Sequence, residues 1–235
     1  MITKDEFFKK GFYVGKTEEI VDSQENFITN CNKVKDLSKD KKLYKYRFDV
    51  RLPIQDEFKH LKLPYENTFN LSEEQIKETQ DFVDEHKDIV NIFQRWWSST
   101  IDFENALDGP RTYFRKLVEK FIIDIYPELK DNIVHHDNFS LYENGDFIQP
   151  HRDGQNEGRK CVVLIYLSHK EDYNDGGGEL VIHENDYNDR VLPTNDNFVV
   201  LDFTQNNPNH AVEVVKNDFQ RLLYINFVYY KFNKK

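Results

Sequence analysis

Two histidines and an aspartate have residue types and a spacing that could bind a metal ion. His151 and Asp153 are separated by one residue, so their side chains point to the same side of an extended segment. This spacing suits two adjacent positions on one metal ion. The best candidate for a third ligand is His210, which follows a turn and precedes an apolar stretch. Two histidines and one carboxylate on one face of an octahedral ion leave three positions open, which is typical of non-haem Fe(II) sites.

The H-x-D spacing alone does not single out this site. His135 and Asp137 have the same spacing, and the chain contains eight histidines, most of which we expect in turns or on the surface. Zn²⁺ would also accept two histidines and one carboxylate with one open position. The order of the surrounding residues therefore has to separate the two motifs.

The composition restricts the partners of the protein. Its 235 residues contain 32 Lys and Arg against 42 Asp and Glu, which gives a formal net charge of −10. This acidity disfavours nucleic acid as a partner, because nucleic-acid-binding domains normally carry a basic surface. The apolar runs are too short to span a membrane, no signal-peptide pattern opens the chain, and two cysteines are too few for a disulfide framework. We expect a soluble cytoplasmic protein with no membrane partner.

The hydrophobic pattern changes near residue 132. Upstream, Ser72 opens a capping box, and apolar residues recur every seven positions from Ile76 to Trp97, which predicts one helix over that stretch. A second helix is predicted from Gly109 to the residues before Pro127. Alternation over Tyr44–Leu52 predicts a strand.

Downstream of residue 132, short strands separated by turns predict a sandwich or barrel. The predicted strands are Phe139–Tyr142, Cys161–Leu167, Leu180–Ile182, Phe198–Phe203, Val212–Val215 and Leu222–Tyr230.

The order of residues over positions 138–232 resembles a known family. The matching positions are Tyr142, Gly145, His151, Asp153, Arg159, residues 162–167, residues 177–180, Pro193, Phe203, His210, Val212 and Arg221. In order and spacing they resemble the 2-oxoglutarate- and Fe(II)-dependent dioxygenases, and within them the prolyl 4-hydroxylase-like branch. The turn Asn207–His210 also resembles the one before the distal histidine of animal oxygen-sensing prolyl hydroxylases, with Asn209 as an extra residue. His135 and Asp137 do not fit, because they precede Tyr142 instead of following it.

The resemblance implies an α+β, mainly β fold. Its core would be a double-stranded β-helix, a jelly-roll or cupin-like barrel, with N-terminal supporting helices. We expect a single oxygenase domain over residues 1–235, in which residues 132–235 form the catalytic core. Residues 1–131 match no motif of the family and would form a helical and mixed support.

The resemblance implies that His151, Asp153 and His210 bind iron. Arg221 lies eleven positions after His210, where the family keeps a basic residue for the distal carboxylate of 2-oxoglutarate. A guanidinium meets a carboxylate with two charge-assisted hydrogen bonds.

The side chain of Arg221 is expected to face a desolvated site. It is in phase with Leu223, Ile225 and Phe227, so burial would be costly unless an anion binds there. The alternative is an arginine at a strand end that reaches solvent.

Tyr142 and Tyr166 match tyrosines that line the co-substrate pocket in the oxygen-sensing prolyl hydroxylases. An ordinary aromatic core position explains each of them equally well.

The implied activity is hydroxylation of an unactivated C–H bond with Fe(II), 2-oxoglutarate and O₂, with ascorbate as an optional reductant and with release of succinate and CO₂. The branch favours a prolyl residue in a protein or peptide substrate. One alternative is an oxygenase acting on a free amino acid or another small molecule. Another is a barrel that has lost its metal and serves as a binding module, although four intact site residues argue against it.

Overall fold

The computed structural model describes residues 3–40, 44–52, 60–65, 70–98, 108–154, 157–184 and 187–231. Its helices are α1 Lys4–Lys10, α2 Gln24–Ser38, α3 Glu73–Glu85 and α4 Asp108–Ile125. Its strands are β1 Phe12–Lys16, β2 Tyr44–Arg51, β3 Asn91–Ser98, β4 Ile133–Tyr142, β5 Phe147–His151, β6 Arg159–Tyr166, β7 Leu180–Glu184, β8 Tyr187–Val191, β9 Asn197–Asp202, β10 Asn209–Val212 and β11 Arg221–Tyr230. None of the helices within these ranges has the length and apolarity needed to cross a membrane.

The strands pair in antiparallel fashion in the order β1-β9-β6-β11-β4-β3-β5-β10-β7-β8, and β2 pairs with β3 beside this path. Most consecutive strands are therefore not neighbours, as expected where the chain crosses repeatedly between two halves of a jelly roll. The predicted α+β, mainly β fold with a double-stranded β-helix and supporting helices is confirmed.

Successive residues of the central strands serve two different cores. One hydrophobic cluster lies between the sheet and the helices and includes Phe114, Phe121, Phe139, Ile165, Tyr224 and Val228. The other includes Tyr142, Leu164, Tyr166, Leu201, Leu223 and Ile225. Because side chains of a strand alternate between faces, β11 sends Tyr224 towards the helices and Leu223 into the barrel. The second cluster therefore forms the wall of any pocket inside the barrel.

The N-terminal half corrects one sequence-based prediction. The capping box at Ser72 opens α3 as expected, but this helix ends at Glu85, so the prediction of a helix continuing to Trp97 is wrong. Residues 91–98 instead form β3, which pairs with β2 along its length and touches both β4 and β5. A seven-residue apolar repeat is compatible with a helix followed by a short strand, and only long-range pairing decides between them.

Candidate active site

The two histidines predicted as metal ligands are cross-strand neighbours. Strands β5 and β10 are antiparallel, and their register places His210 opposite His151. The ring centroids of the two imidazoles are 4.4 Å apart, with 50° between the ring planes. β10 covers Asn209–Val212, so the predicted strand at Val212–Val215 is shifted, and His210 lies within the strand rather than before it.

Asp153 completes a compact group of ligand atoms. Its Oδ1 lies 3.8 Å from Nε2 of His151, and its Oδ2 lies 3.8 Å from Nε2 of His210. Among the described residues, one ligand atom from each of these side chains lies within 4.8 Å of the others. The side-chain amide of Asn207 donates to the main-chain oxygen of Asp153 at 2.5 Å and so ties this segment to the turn before β10.

Hydrogen bonds fix which nitrogen of each histidine faces this group. Nδ1 of His151 lies 2.9 Å from the carbonyl of Gln149, and Nδ1 of His210 lies 3.0 Å from the carbonyl of Pro208. A carbonyl only accepts, so we assign the proton to Nδ1, which leaves the lone pair of Nε2 directed at Asp153. Both imidazoles are thereby oriented as metal ligands.

Electrostatics keep His151 neutral. Burial and, to a smaller extent, the neighbouring His210 together lower the pKa of His151 to about 4, against the opposing pull of Asp153. An imidazole must be neutral to bind a metal, so this ring needs no proton loss at neutral pH.

A pocket inside the barrel connects the three ligand residues to Arg221. It contains about 530 Å³ of empty space, counted with its mouth. Its lining includes Arg95, Tyr142, His151, Asp153, His210, Arg221 and apolar residues such as Val162, Leu164, Leu201 and Leu223. A separate surface cleft beside Asp172 and Phe219 contains none of the predicted site residues.

Arg221 is buried at the inner end of this pocket with unused hydrogen-bonding capacity. Its side chain belongs to a residue that is only 1% exposed. Nε donates to the carbonyl of Gly178 at 2.7 Å, whereas Nη1 has no hydrogen-bond partner in the part of the chain that the structure describes. The guanidinium carbon lies 4.5 Å from the ring centre of Tyr142 and 5.2 Å from that of Tyr166.

Strand register explains why both tyrosines meet this arginine. Arg221 of β11 is opposite Tyr142 of β4, and Leu223 is opposite Tyr166 of β6, which makes Tyr166 a diagonal neighbour of Arg221. The hydroxyl of Tyr166 is buried without a hydrogen-bond partner in the described chain. Burial raises the pKa of Tyr166, although the charge of Arg221 opposes this shift, so the phenol remains a proton donor.

Gly178 shapes the wall behind Arg221. Its φ is +75°, and a Cβ built there would lie 2.9 Å from Cγ2 of Val215 and 3.1 Å from Cδ of Arg221. Any other residue would combine left-handed backbone strain with a contact against the arginine that its carbonyl holds.

The structure adds Arg95 to the residues of the pocket. Nη1 of Arg95 donates to the hydroxyl of Tyr142 at 2.7 Å. The sequence placed this residue in a helix, and so its side chain was not among the predicted site residues. The available signal was the β-favouring run Ile-Phe-Gln-Arg-Trp-Trp at 92–97.

The H-x-D motif formed by His135 and Asp137 is not part of this pocket. Asp137 accepts hydrogen bonds from Arg115 and Tyr224, and His135 lies beside Glu119. These partners belong to α4 and to the helix-facing side of β11.

Comparison with protein families agrees with this geometry. Residues 137–229 match the family model described as the 2OG-Fe(II) oxygenase superfamily. The predicted resemblance to the 2OG-Fe(II) oxygenases is confirmed. A search of curated proteins finds no match by sequence.

Solved structures of this superfamily share the fold of the chain. A prolyl-4-hydroxylase from Pseudomonas putida is 14% identical, with a TM-score of 0.54 over 97% of this chain and 96% of that one. A prolyl hydroxylase from Trichoplax adhaerens, in complex with a peptide fragment of the oxygen degradation domain of hypoxia inducible factor, is 15% identical, with a TM-score of 0.57 over 97% and 86%. A 2OG-Fe(II) oxygenase family oxidoreductase from Burkholderia pseudomallei is 12% identical, with a TM-score of 0.51 over 97% and 91%.

The 2OG-Fe(II) oxygenase superfamily implies Fe(II), 2-oxoglutarate and O₂, and the residues present fit these groups. Two imidazoles and one carboxylate are a donor set that suits non-haem iron. An N–H of Arg221 and the hydroxyl of Tyr166, which have no partner within the described ranges, would be costly in this buried position without an anionic partner. A dicarboxylate such as 2-oxoglutarate provides that partner.

Proposed function

We propose that this protein is a dioxygenase that couples the oxidation of 2-oxoglutarate to hydroxylation of an unactivated C–H bond, with a prolyl residue of a protein or peptide as its substrate. One observation carries the proposal. The His151, Asp153 and His210 cluster opens into the same cavity as the buried guanidinium of Arg221, one N–H group of which has no hydrogen-bond partner among the described residues.

His151, Asp153 and His210 would hold Fe(II). The bound iron would supply the activation of O₂ that no side chain provides. The chain contributes two imidazoles with Nε2 directed inward and a carboxylate that partly neutralises the ion. The backbone carbonyls of Gln149 and Pro208 fix the orientation of the two imidazole rings.

Arg221 and Tyr166 would bind the distal carboxylate of 2-oxoglutarate, and Tyr142 would contact the same co-substrate. The guanidinium offers Nη1 and the phenol offers its hydroxyl, both in a buried position where a charge-assisted hydrogen bond is strong. Gly178 holds Arg221 through Nε, so that Nη1 remains available for the anion.

The apolar wall of the pocket would exclude water from the reacting groups. Val162, Leu164, Leu201 and Leu223 are each at most 7% exposed and belong to the barrel cluster. A dry wall strengthens the electrostatic contacts inside and protects reactive species from water.

Two considerations favour a prolyl substrate. The Asn207–His210 turn is similar to that of oxygen-sensing prolyl hydroxylases, and two solved structures with this fold are prolyl hydroxylases, one of them bound to a peptide. The competing substrate is a free amino acid or small molecule, since the superfamily fold alone does not specify the substrate.

Anaerobic titration tests the metal and co-substrate sites. Adding Fe(II) and then 2-oxoglutarate to the wild-type protein should produce a weak visible charge-transfer band. Asp153→Ala should lose the band, whereas His183→Ala should keep it, because His183 on β7 is exposed and opposite Asn209 rather than His210. Absence of the band in the wild type, or an undiminished band in Asp153→Ala, would favour the binding module.

Coupled turnover tests the substrate class. Succinate production should rise on addition of proline-containing peptides and not on addition of free amino acids. Mass spectrometry of the peptide should show the added mass of one oxygen atom on proline. Stimulation by free amino acids alone would instead select the small-molecule oxygenase.

A further inference from the structure

The hydroxyl of Tyr142 receives a hydrogen bond from an arginine that lies far away in sequence. Nη1 of Arg95, on β3, is 2.7 Å from the phenol oxygen, and Tyr142 itself is 1% exposed. Both residues line the barrel pocket together with His151 and Arg221. The N-terminal half of the chain therefore reaches the candidate site through this arginine.

The direction of this hydrogen bond is fixed by chemistry. A guanidinium carries donors and no acceptor, so the phenol oxygen must accept from Arg95. The hydrogen of the Tyr142 hydroxyl therefore cannot be used in this contact. Among the described residues it meets no acceptor, although the group is buried. Such a hydrogen needs an acceptor, and the pocket is the space that the side chain lines.

The same contact also strengthens the phenol as a donor. A cation that donates to the oxygen polarises the O–H bond, and neighbouring hydrogen bonds of this kind reinforce one another in a low-dielectric site. The guanidinium of Arg221 lies over the ring of Tyr142, so the phenol contacts two positive groups. An anionic acceptor is the partner that matches this environment.

We propose that Arg95 is a positioning residue for 2-oxoglutarate. By donating to the phenol oxygen, it sets the Tyr142 hydroxyl as a hydrogen-bond donor to a carboxylate oxygen of the co-substrate. This inference rests on the proposed function, and it assigns to β3 a role in co-substrate affinity.

A double-mutant cycle measured by binding tests the proposal without turnover. The affinity for 2-oxoglutarate is measured by anaerobic calorimetry on protein saturated with Mn(II), for the wild type, Arg95→Gln, Tyr142→Phe and the double variant. Because each change removes a hydrogen bond that involves a charged group, we expect 2-oxoglutarate to bind about fivefold to tenfold more weakly in either single variant. The double variant should bind no more weakly than Tyr142→Phe, because Arg95 acts through this hydroxyl.

Further variants separate positioning from general structural damage. Arg95→Lys keeps a charged donor and should recover most of the affinity. Arg190→Ala removes an exposed arginine that pairs with Glu213 outside the pocket, and it should leave 2-oxoglutarate binding unchanged. The affinity for Mn(II) should be the same in the wild type and Arg95→Gln.

The outcomes distinguish this proposal from the proposed function. If the wild type does not bind 2-oxoglutarate, both are overturned. If the wild type binds and Arg95→Gln binds equally well, or loses as much affinity in the Tyr142→Phe background, only the positioning role is overturned. Tyr142→Phe tests the proposal even if Arg95→Gln fails to fold. An unchanged affinity of this variant for 2-oxoglutarate would overturn the positioning role.

Discussion

Two H-x-D motifs in this chain have the same spacing and opposite surroundings. Asp137 of the first motif accepts two hydrogen bonds from Arg115, at 2.9 and 2.6 Å, and one from Tyr224 at 2.7 Å. Asp153 of the second motif faces two imidazoles at 3.8 Å. The spacing brings a histidine and an aspartate to one side of the chain, but the face of the sheet decides what they meet.

The two motifs have different surroundings because their side chains point to different faces of the sheet. Asp137 is in phase with Phe139 and Leu141, which pack in the helix-facing cluster, so its carboxylate meets the arginines of α4. His151 lies where β5 joins β10, at the wall of the barrel pocket. One motif pairs with a helix that packs on the sheet, and the other lines the pocket.

Removing the carboxylate of Asp153 is expected to have the largest effect on metal binding and turnover. Asp153→Ala should weaken Fe(II) binding and reduce turnover by at least about 100-fold, since ligand-set changes commonly cost more than changes behind the ligands. The thermal midpoint should not fall, because Asp153 makes no pairing with a permanent cation among the described residues. Metal titration and calorimetry check both parts, and retained Fe(II) affinity would remove the contrast between the motifs.

Removing the carboxylate of Asp137 should lower the stability of the protein and leave metal binding unchanged. Asp137→Asn leaves Arg115 and the buried Arg111 without their counter-charge, and we expect a loss of about 2 kcal/mol, reduced from the value of a fully buried pair because Arg115 is partly exposed. The midpoint should fall by about 4–8 °C. Fe(II) affinity of the folded variant should match the wild type. An unchanged midpoint would mean that this motif does not fasten α4.

Alanine variants of two glycines separate the effect of backbone strain on stability from the effect of a displaced Arg221 on co-substrate binding. Gly178 and Gly145 both have positive φ, at +75° and +91°, but a Cβ at Gly145 has nothing within 4 Å. Each alanine variant should lose about 1–2 kcal/mol of stability from the left-handed backbone. Only Gly178→Ala should also weaken 2-oxoglutarate binding, because its Cβ displaces Arg221. Equal co-substrate affinity in the two variants, measured by calorimetry, would contradict this.

At acid pH the contribution of Asp137 to the stability of the folded protein should be lost. Burial would raise the pKa of Asp137, but hydrogen bonds from Arg115 and Tyr224 outweigh it and hold the pKa below its ordinary value. A group with a lowered pKa in the folded state stabilises the protein above its unfolded pKa, near about 3.9, and loses this contribution as pH falls through the folded value. The stability difference between wild type and Asp137→Asn, from urea unfolding, should be constant from about pH 5 to pH 8 and shrink below about pH 4. A difference that persists undiminished at lower pH would contradict the assignment.

The barrel half could be read from the sequence because its features are local. Short alternating strands, turn residues and the ordered motif from Tyr142 to Arg221 predicted the fold class. The six predicted site residues do lie around one pocket or directly behind it. Their individual roles as iron and 2-oxoglutarate ligands stay predictions that the experiments above test.

The N-terminal half was harder to predict because its structure depends on distant partners. β3 was mistaken for the end of a helix, since its identity as a strand comes from pairing with β2, β4 and β5. Arg95 was missed for the same reason. No local spacing shows that residue 95 meets residue 142, because that contact exists only after the sheet has formed.

Strand β1 has a consequence for biosynthesis. β1 (Phe12–Lys16) pairs with β9 (Asn197–Asp202), so all of the sequence between them must be synthesised before this pair can form. Until then β1 is without the strand with which it pairs in the folded protein. Pairing between strands that are distant in sequence slows folding, and an unpaired strand edge promotes aggregation. The yield of folded protein in a cell should therefore depend on the supply of chaperones.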